Sequence, residues 1–326
     1  MKKILLLILA VCLLPAMCFP VTGMENLQFL KINPDARGAS LNDGFVAVSD
    51  NVNSIYYNPA GLSSLNNFSV SLMHMMYIAD TNYEYVALGL PLGDRLKAAV
   101  SLVYLNYGAM SVTTENNLGV YTGANGEFIP YNLALTGGLA LKLNQSISLG
   151  ANIKYASEDI AGAYISGIMG DAGIKINLDD IIFGAAVYNV GSTTGVVKAP
   201  IVGRAGAATK FSLAAPSDLT IAGGANYVLD SGKIAGSIGA EFVTNGSVFF
   251  RGSYELGRDI NALNAGVGIK SNMGDMKYWV DYNLSFLGNL GTTHRISFTV
   301  AFGTEDEKEK SRSTQKKTGI RTFNIK

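Results

Sequence analysis

The sequence predicts an all-β protein, a single closed antiparallel transmembrane β-barrel of about 14 strands with an N-terminal hatch inside the lumen. Three observations carry this expectation. Between residues 67 and 302, short segments alternate apolar residues with small or polar ones, so one sheet face suits lipid and the other does not. The connections between them alternate short and long. Charge is scarce, with charged residues at 15% against 48% hydrophobic and 37 glycines, which suits a protein whose outside is lipid. The 25 basic and 25 acidic residues cancel, which leaves no nucleic-acid footprint.

Residues 1–23 read as a secretory signal peptide. Lys2 and Lys3 form its basic start, and the apolar run from Ile4 to Leu14 is too short to span a bilayer as a helix. Small residues fit cleavage after Cys18 or after Gly23. A lipid-modified Cys18 is the alternative, against which stands the bulky Met17. Cys12 and Cys18 are the only cysteines, so no disulfide or thiol chemistry follows for a mature chain. Residues 24–66 lack the period of two and carry helix and turn signals. They read as a plug.

Residues 67–302 read as the barrel. The predicted strands are 67–77, 83–92, 96–104, 128–143, 146–157, 166–177, 181–190, 204–211, 219–229, 234–243, 248–256, 262–271, 276–286 and 293–302. In the fourth, Tyr131, Leu133, Leu135, Leu139, Leu141 and Leu143 share one face, and Asn132, Thr136, Ala140 and Lys142 the other. With a periplasmic start, the periplasmic turns are 93–95, 144–145, 178–180, 214–218, 245–247 and 272–275, all short and rich in turn residues. On the other side, 107–127 and 191–203 are long and 158–165 and 257–261 moderate, with 230–233 a short exception. A soluble sandwich has no reason to sort its loops this way. Pro91 and Pro130 lie near strand ends, and Pro200 and Pro216 in connections, where no ladder hydrogen bond is lost.

Tyr77, Tyr83, Tyr104, Phe128, Tyr155, Tyr188, Tyr227, Tyr278 and Trp279 cluster toward strand ends, as interfacial girdles do; cross-strand packing explains some of them equally well. The lumen-facing set is mostly Gly, Ala, Ser, Thr and Asn with few charges, so something fills the lumen, and residues 24–66 are the candidate. Residues 303–326 form a mixed-charge polar tail beyond Phe302, expected to hang disordered in the periplasm. A docking role for residues 320–325 is the alternative.

The candidate hatch motif comprises Arg37, Gly38, Asp50, Asn58, Pro59, Ala60 and Gly61. Asn58-Pro59 stops a helix, because a residue before proline is pushed out of the α region. Asp50 is expected to cap that short helix. Local turn chemistry is the plainer account of this stretch, a ligand role the sharper one. Glu241 and Arg251 face inward on adjacent strands, and the short loop 245–247 sets them opposite each other. They are expected to form a lumenal ion pair, structural in role and joined by Asp281. His74 and His294 lie on the first and last strands, with girdle or turn roles expected and a two-histidine metal site as the alternative. No metalloprotease, hydrolase or phosphate-binding motif occurs, so no enzyme activity, catalytic residue, metal or cofactor is expected.

The Asn-Pro-Ala-Gly element, following Arg37-Gly38 and Gly44-Phe-Val-Ala, resembles the N-terminal plug of the PorV/PorQ family, which is related to the FadL-type fatty-acid transporters of bacterial outer membranes. The resemblance continues at Asp171-Ala-Gly-Ile, Tyr188-Asn189-Val190-Gly191, Pro200 with Arg204-Ala-Gly206, Arg251-Gly252-Ser-Tyr254, Asp281-Tyr282 and His294-Arg295-Ile-Ser-Phe, and it covers residues 29–302. It implies a fourteen-stranded barrel in the bacterial outer membrane, in contact with its lipid, with a plug inside. For function it implies passage of a hydrophobic ligand such as a fatty acid. The alternative it implies is a non-conducting docking platform of a protein-secretion system, with secreted or periplasmic proteins as partners. Two features depart from the FadL pattern. The third strand, 96–104, has neither Pro nor Gly to kink it for a lateral gate, and the chain is short, leaving little loop for a capture groove.

Overall fold

The computed structural model describes residues 25–195, 198–213, 216–257 and 263–303. The predicted signal peptide, nearly all of the polar tail and most of the 257–261 connection lie outside the described residues. The strands are β1 (Phe68–Met76), β2 (Asn82–Pro91), β3 (Leu96–Asn106), β4 (Met110–Glu115), β5 (Tyr121–Phe128), β6 (Tyr131–Lys142), β7 (Ile147–Ile160) and β8 (Ala163–Leu178). They continue with β9 (Ile181–Thr193), β10 (Val202–Ser212), β11 (Asp218–Val228), β12 (Lys233–Thr244), β13 (Val248–Leu256), β14 (Leu263–Met273), β15 (Met276–Phe286) and β16 (Thr292–Phe302). Fourteen of them, all but β4 and β5, form one closed antiparallel barrel. Closure is made by β1 on β16, in unbroken register from Phe68 opposite Phe302 to Met76 opposite His294. The barrel itself therefore has no free edge.

The side-chain alternation decides which face is which. Along β6, Asn132, Ala134, Thr136 and Ala140 are buried, while Leu135, Leu139 and Leu141 point outward and are 53, 52 and 42% exposed. Ile296, Phe298 and Phe302 do the same on β16, and Ile238, Phe250, Val267 and Ile269 on the far wall. The outer wall is therefore an apolar belt.

Several connections differ from expectation. Residues 107–127 are not a free loop: β4 and β5 pair as a projecting hairpin, to which Phe128 belongs, and its strands are exposed almost throughout. The 158–165 connection shrinks to Ala161-Gly162, because β7 and β8 stay paired up to Ile160 opposite Ala163. Both turn residues have positive φ, 53° and 84°, the conformation of a tight hairpin turn whose twist matches its strands. β9 likewise runs on to Thr193, past an irregularity opposite Gly170–Ala172. There Asn189 adopts φ 62°, and its N–H donates to Asp171 Oδ1 at 2.9 Å.

Residues 25–66 run inside the barrel as short helical pieces: α1 (Ala36–Leu41), α2 (Phe45–Val48), α3 (Ser54–Tyr57) and 3-10 turns at Gln28–Lys31, Asn42–Gly44 and Pro59–Ser64. The segment begins at the long-connection end, where Asn26 N–H bonds Lys198 O in the β9–β10 connection and Tyr83 O–H bonds Ile32 O. It leaves at the short-turn end, where Asn67 Nδ2 donates to Gly303 O at 2.6 Å. It therefore threads the barrel from end to end.

Candidate functional site

The lumen and the segment that fills it are the candidate site. Asp35 opens α1 from an extended conformation, its carboxylate accepting from Gly38 N–H at 2.8 Å. The residue is buried, 2% exposed. Gly38 is required because a Cβ there would enter the Tyr57 ring.

Asn58 ends α3 in an extended conformation, as a residue before proline must, and Pro59 starts the following 3-10 turn. Its side chain makes three links. Oδ1 accepts from Ala60 N–H at 3.1 Å, and Nδ2 donates to Val46 O at 2.9 Å and to Ile174 O of the wall at 3.0 Å. Ala60 is fully buried, and a Cβ on Gly61 would meet Ser49 and Ser54. The wall glycines match this. A Cβ on Gly150 would strike the Pro59–Ala60 backbone, and one on Gly173 would strike Asn58. The small lumenal residues are small because backbone lies against them.

Asp50 does not cap a helix. The residue before α3 is Asn53, which makes no side-chain cap, and Asp50 instead accepts from Arg37 Nη1 at 2.6 Å. Arg37 also grips both oxygens of Glu241, Nε to Oε2 at 2.8 Å and Nη2 to Oε1 at 3.1 Å. Glu241 faces Arg251 in the β12–β13 register and accepts from its Nε at 2.6 Å; Arg251 Nη1 reaches Asp281 at 2.6 Å. Gly268 lies between Arg251 and Asp281, where any Cβ would part them. The result is a chain of alternating charge, Asp50, Arg37, Glu241, Arg251, Asp281, that ties the segment to three strands.

The expectation of few lumenal charges is wrong. Lys97, Lys154, Asp171, Lys175, Arg204, Glu255 and Arg295 are also buried on the inner wall. Most serve the segment. Lys175 Nζ donates to Ser49 O at 2.6 Å, Arg204 pairs with Asp43 at 3.2 Å, and Arg295 Nε donates to Asn33 O at 3.2 Å. Asn42 Nδ2 donates to Glu255 at 2.8 Å, and Asn152 Nδ2 bridges Ile55 O at 2.8 Å and Asp171 at 2.9 Å. A charge on the inner parity of a strand is the signal that marks these residues, but alone it does not say what they hold.

Four residues assigned to the girdles face the interior: Tyr77, which packs against the Leu27–Leu65 cluster just past β1, and Tyr83, Tyr188 and Trp279. Tyr83 is 1% exposed, Tyr188 hydrogen-bonds Tyr57 O, and Trp279 faces the cavity described below. The strand positions of these last three fall on the inner parity. The two histidines are on the outer face and do not converge on a metal: His74 bonds Glu84 at 2.7 Å and His294 bonds Tyr282 at 2.6 Å.

Contacts around the segment divide by wall. From β7 to β16 the ionic and polar contacts are joined by two smaller apolar clusters, Leu41, Phe45, Val48 and Tyr57 on Ala208 and Ala222, and Val46 on Ala186, Tyr188, Val202 and Val228. Against β1, β2, β3 and β6 they are apolar: Leu27, Phe29, Leu30, Ile55, Leu62 and Leu65 share one cluster with Met73, Met75, Tyr83, Tyr85, Val103, Leu105 and Ala134. This seam runs the height of the lumen, from Leu105 near the top of β3 to Leu65, which touches Gly89 near the foot of β2. At the foot opens a vestibule of about 540 Å³, lined by Arg37, Asp50, Leu65, Lys210, Asp218 and the inner faces of β12–β16.

A closed fourteen-stranded antiparallel barrel with an apolar outer wall, threaded by its own N-terminal segment, is the class of protein these features define. No family model matches the sequence, and no curated protein matches it. Among solved structures it is similar to the toluene transporter TodX of Pseudomonas putida, with 10% identity, a TM-score of 0.54, and 87% of this chain and 98% of that one covered. It is also similar to the CymD monoaromatic hydrocarbon channel, with 12% identity, a TM-score of 0.52, and 86 and 99% covered. Identities this low show a shared fold. Nothing in these likenesses singles out the PorV/PorQ branch.

Proposed function

We propose that this chain is an outer-membrane channel for small hydrophobic molecules and that its N-terminal segment is the hatch. The apolar seam carries the reading. It offers a hydrophobic molecule a continuous surface along β1–β3 and β6, while the ion pairs hold the segment against the opposite wall. The segment need only part from the greasy side. The apolar outer belt is far larger than a soluble monomer tolerates, which supports a membrane setting. The shared fold of TodX and CymD, whose names state transport of toluene and of monoaromatic hydrocarbons, agrees. No observation favours the docking-platform alternative.

A disulfide across the seam tests this. Val52 Cβ lies 3.3 Å from where a Gly89 Cβ would be, close to the spacing a disulfide needs. A Val52→Cys/Gly89→Cys variant should give cells that accumulate labelled toluene or oleate only when the pair is reduced. Uptake equal in oxidised and reduced cells, or equal with and without the gene, refutes the reading.

A further inference from the structure

The vestibule at the short-turn end adjoins the point where the chain leaves the barrel. We propose that the acidic run 305–309 lies across the vestibule and pairs with Lys270 and Lys277, so that the segment following β16 covers this end of the lumen. Gly303 sets where that segment starts. Its N–H donates to Asp275 O at 2.6 Å, and its O accepts from Asn67 Nδ2 at 2.6 Å. Its φ of 105° turns the backbone off the line of β16. Asn67 lines the vestibule, so the segment begins at the rim.

Charge complementarity names the occupant. Glu305, Asp306, Glu307 and Glu309 place four carboxylates in five positions against the single Lys308. Five cations and four carboxylates line the vestibule. Arg37 and Arg251 are paired with Asp50, Glu241 and Asp281, and Lys210 with Asp218 at 2.7 Å, which leaves Lys270 and Lys277 as the remaining cations of the lining. Lys277 lies opposite Ala301 in the β15–β16 register, two residues before Gly303. Lys270 lies opposite Trp279 on the next strand, its Nζ 5.6 Å from the indole centroid. An ammonium has three donors, so each lysine can hold a carboxylate beside any neighbour it already has. Length agrees as well. Residues 304–309 span up to about 20 Å when extended, about twice the width of a rounded space of about 540 Å³. Tethering at Gly303 also gives the run a millimolar effective concentration, which a separate acidic partner lacks.

A zero-length carbodiimide joins a carboxylate to a lysine where the two touch. Full-length protein in detergent, treated this way and digested, should give peptides joining residues 305–309 to Lys270 or Lys277. Lys142 is the control, since it ends β6 on the same rim and does not line the vestibule. Limited trypsin digestion of untreated protein is the second readout. Lys270→Gln/Lys277→Gln should speed the cut after Lys308 about tenfold, the worth of two exposed ion pairs. Cuts after Lys316 and Lys317, beyond the acidic run, should keep their rate. Neither lysine belongs to the ion-pair chain that holds the hatch, and the cross-link needs no variant at all. Absence of the cross-links, equal yield to Lys142, or an unchanged cut after Lys308 in the double variant overturns the inference. Neither readout involves cargo, so failure here leaves the hatch reading standing.

Discussion

Arg37→Met tests whether the ion-pair chain is what seats the hatch. Arg37 makes three charge-assisted hydrogen bonds, at 2.6, 2.8 and 3.1 Å. The bond to Asp50, whose side chain is 47% exposed, is worth little once solvent screening is counted. The bidentate grip on Glu241 is different, because that side chain is 7% exposed. Removing one partner of a buried pair costs roughly 3–5 kcal/mol, mostly the burden of the charge left behind. Here Arg251 still bonds Glu241 at 2.6 Å, so the lower end applies, about 3 kcal/mol. That raises the unseated population about 150-fold. Hydrogen exchange of peptides covering residues 33–48, in detergent, should show the loss of protection. Barrel melting should barely move, because the strand ladder closes without Arg37. Adding Glu241→Gln should restore part of the protection by removing the stranded charge. Exchange in residues 33–48 unchanged within about threefold, or lost only together with the barrel strands, would sink the argument, since a 3 kcal/mol change corresponds to roughly 150-fold.

Gly173→Ala should loosen the hatch by about 1–3 kcal/mol, because the new methyl group meets Asn58. Gly137→Ala, whose methyl group would have only Ile153 at 4.0 Å, should change stability by less than about 0.5 kcal/mol; protease susceptibility of residues 50–66 compares the two. Replacing 110–128 by a short flexible linker should leave heat-induced unfolding on gels unchanged, since β3 and β6 pair up to Asn106 opposite Tyr131 without the hairpin.

The amino-acid order by itself determines the barrel. A period of two is a local property, and turn residues sort the connections without help from distant contacts, so strand number, wall parity and the Glu241–Arg251 opposition are legible along the chain. Asn58-Pro59 is legible for the same reason, as a residue before proline answers only to its neighbour. Parity also carried information that aromatic clustering obscured, for Tyr83, Tyr188 and Trp279 fall on inner positions. What only the tertiary structure decided is the partnership between hatch and wall. Arg37 and Glu241, Asp43 and Arg204, and Asn58 and Gly173 are each more than a hundred residues apart, and nothing local aligns a threaded segment with the strand that faces it. Asp50 shows the difference: its local role was a cap, but a guanidinium brought to within 2.6 Å by the fold outcompetes a backbone N–H.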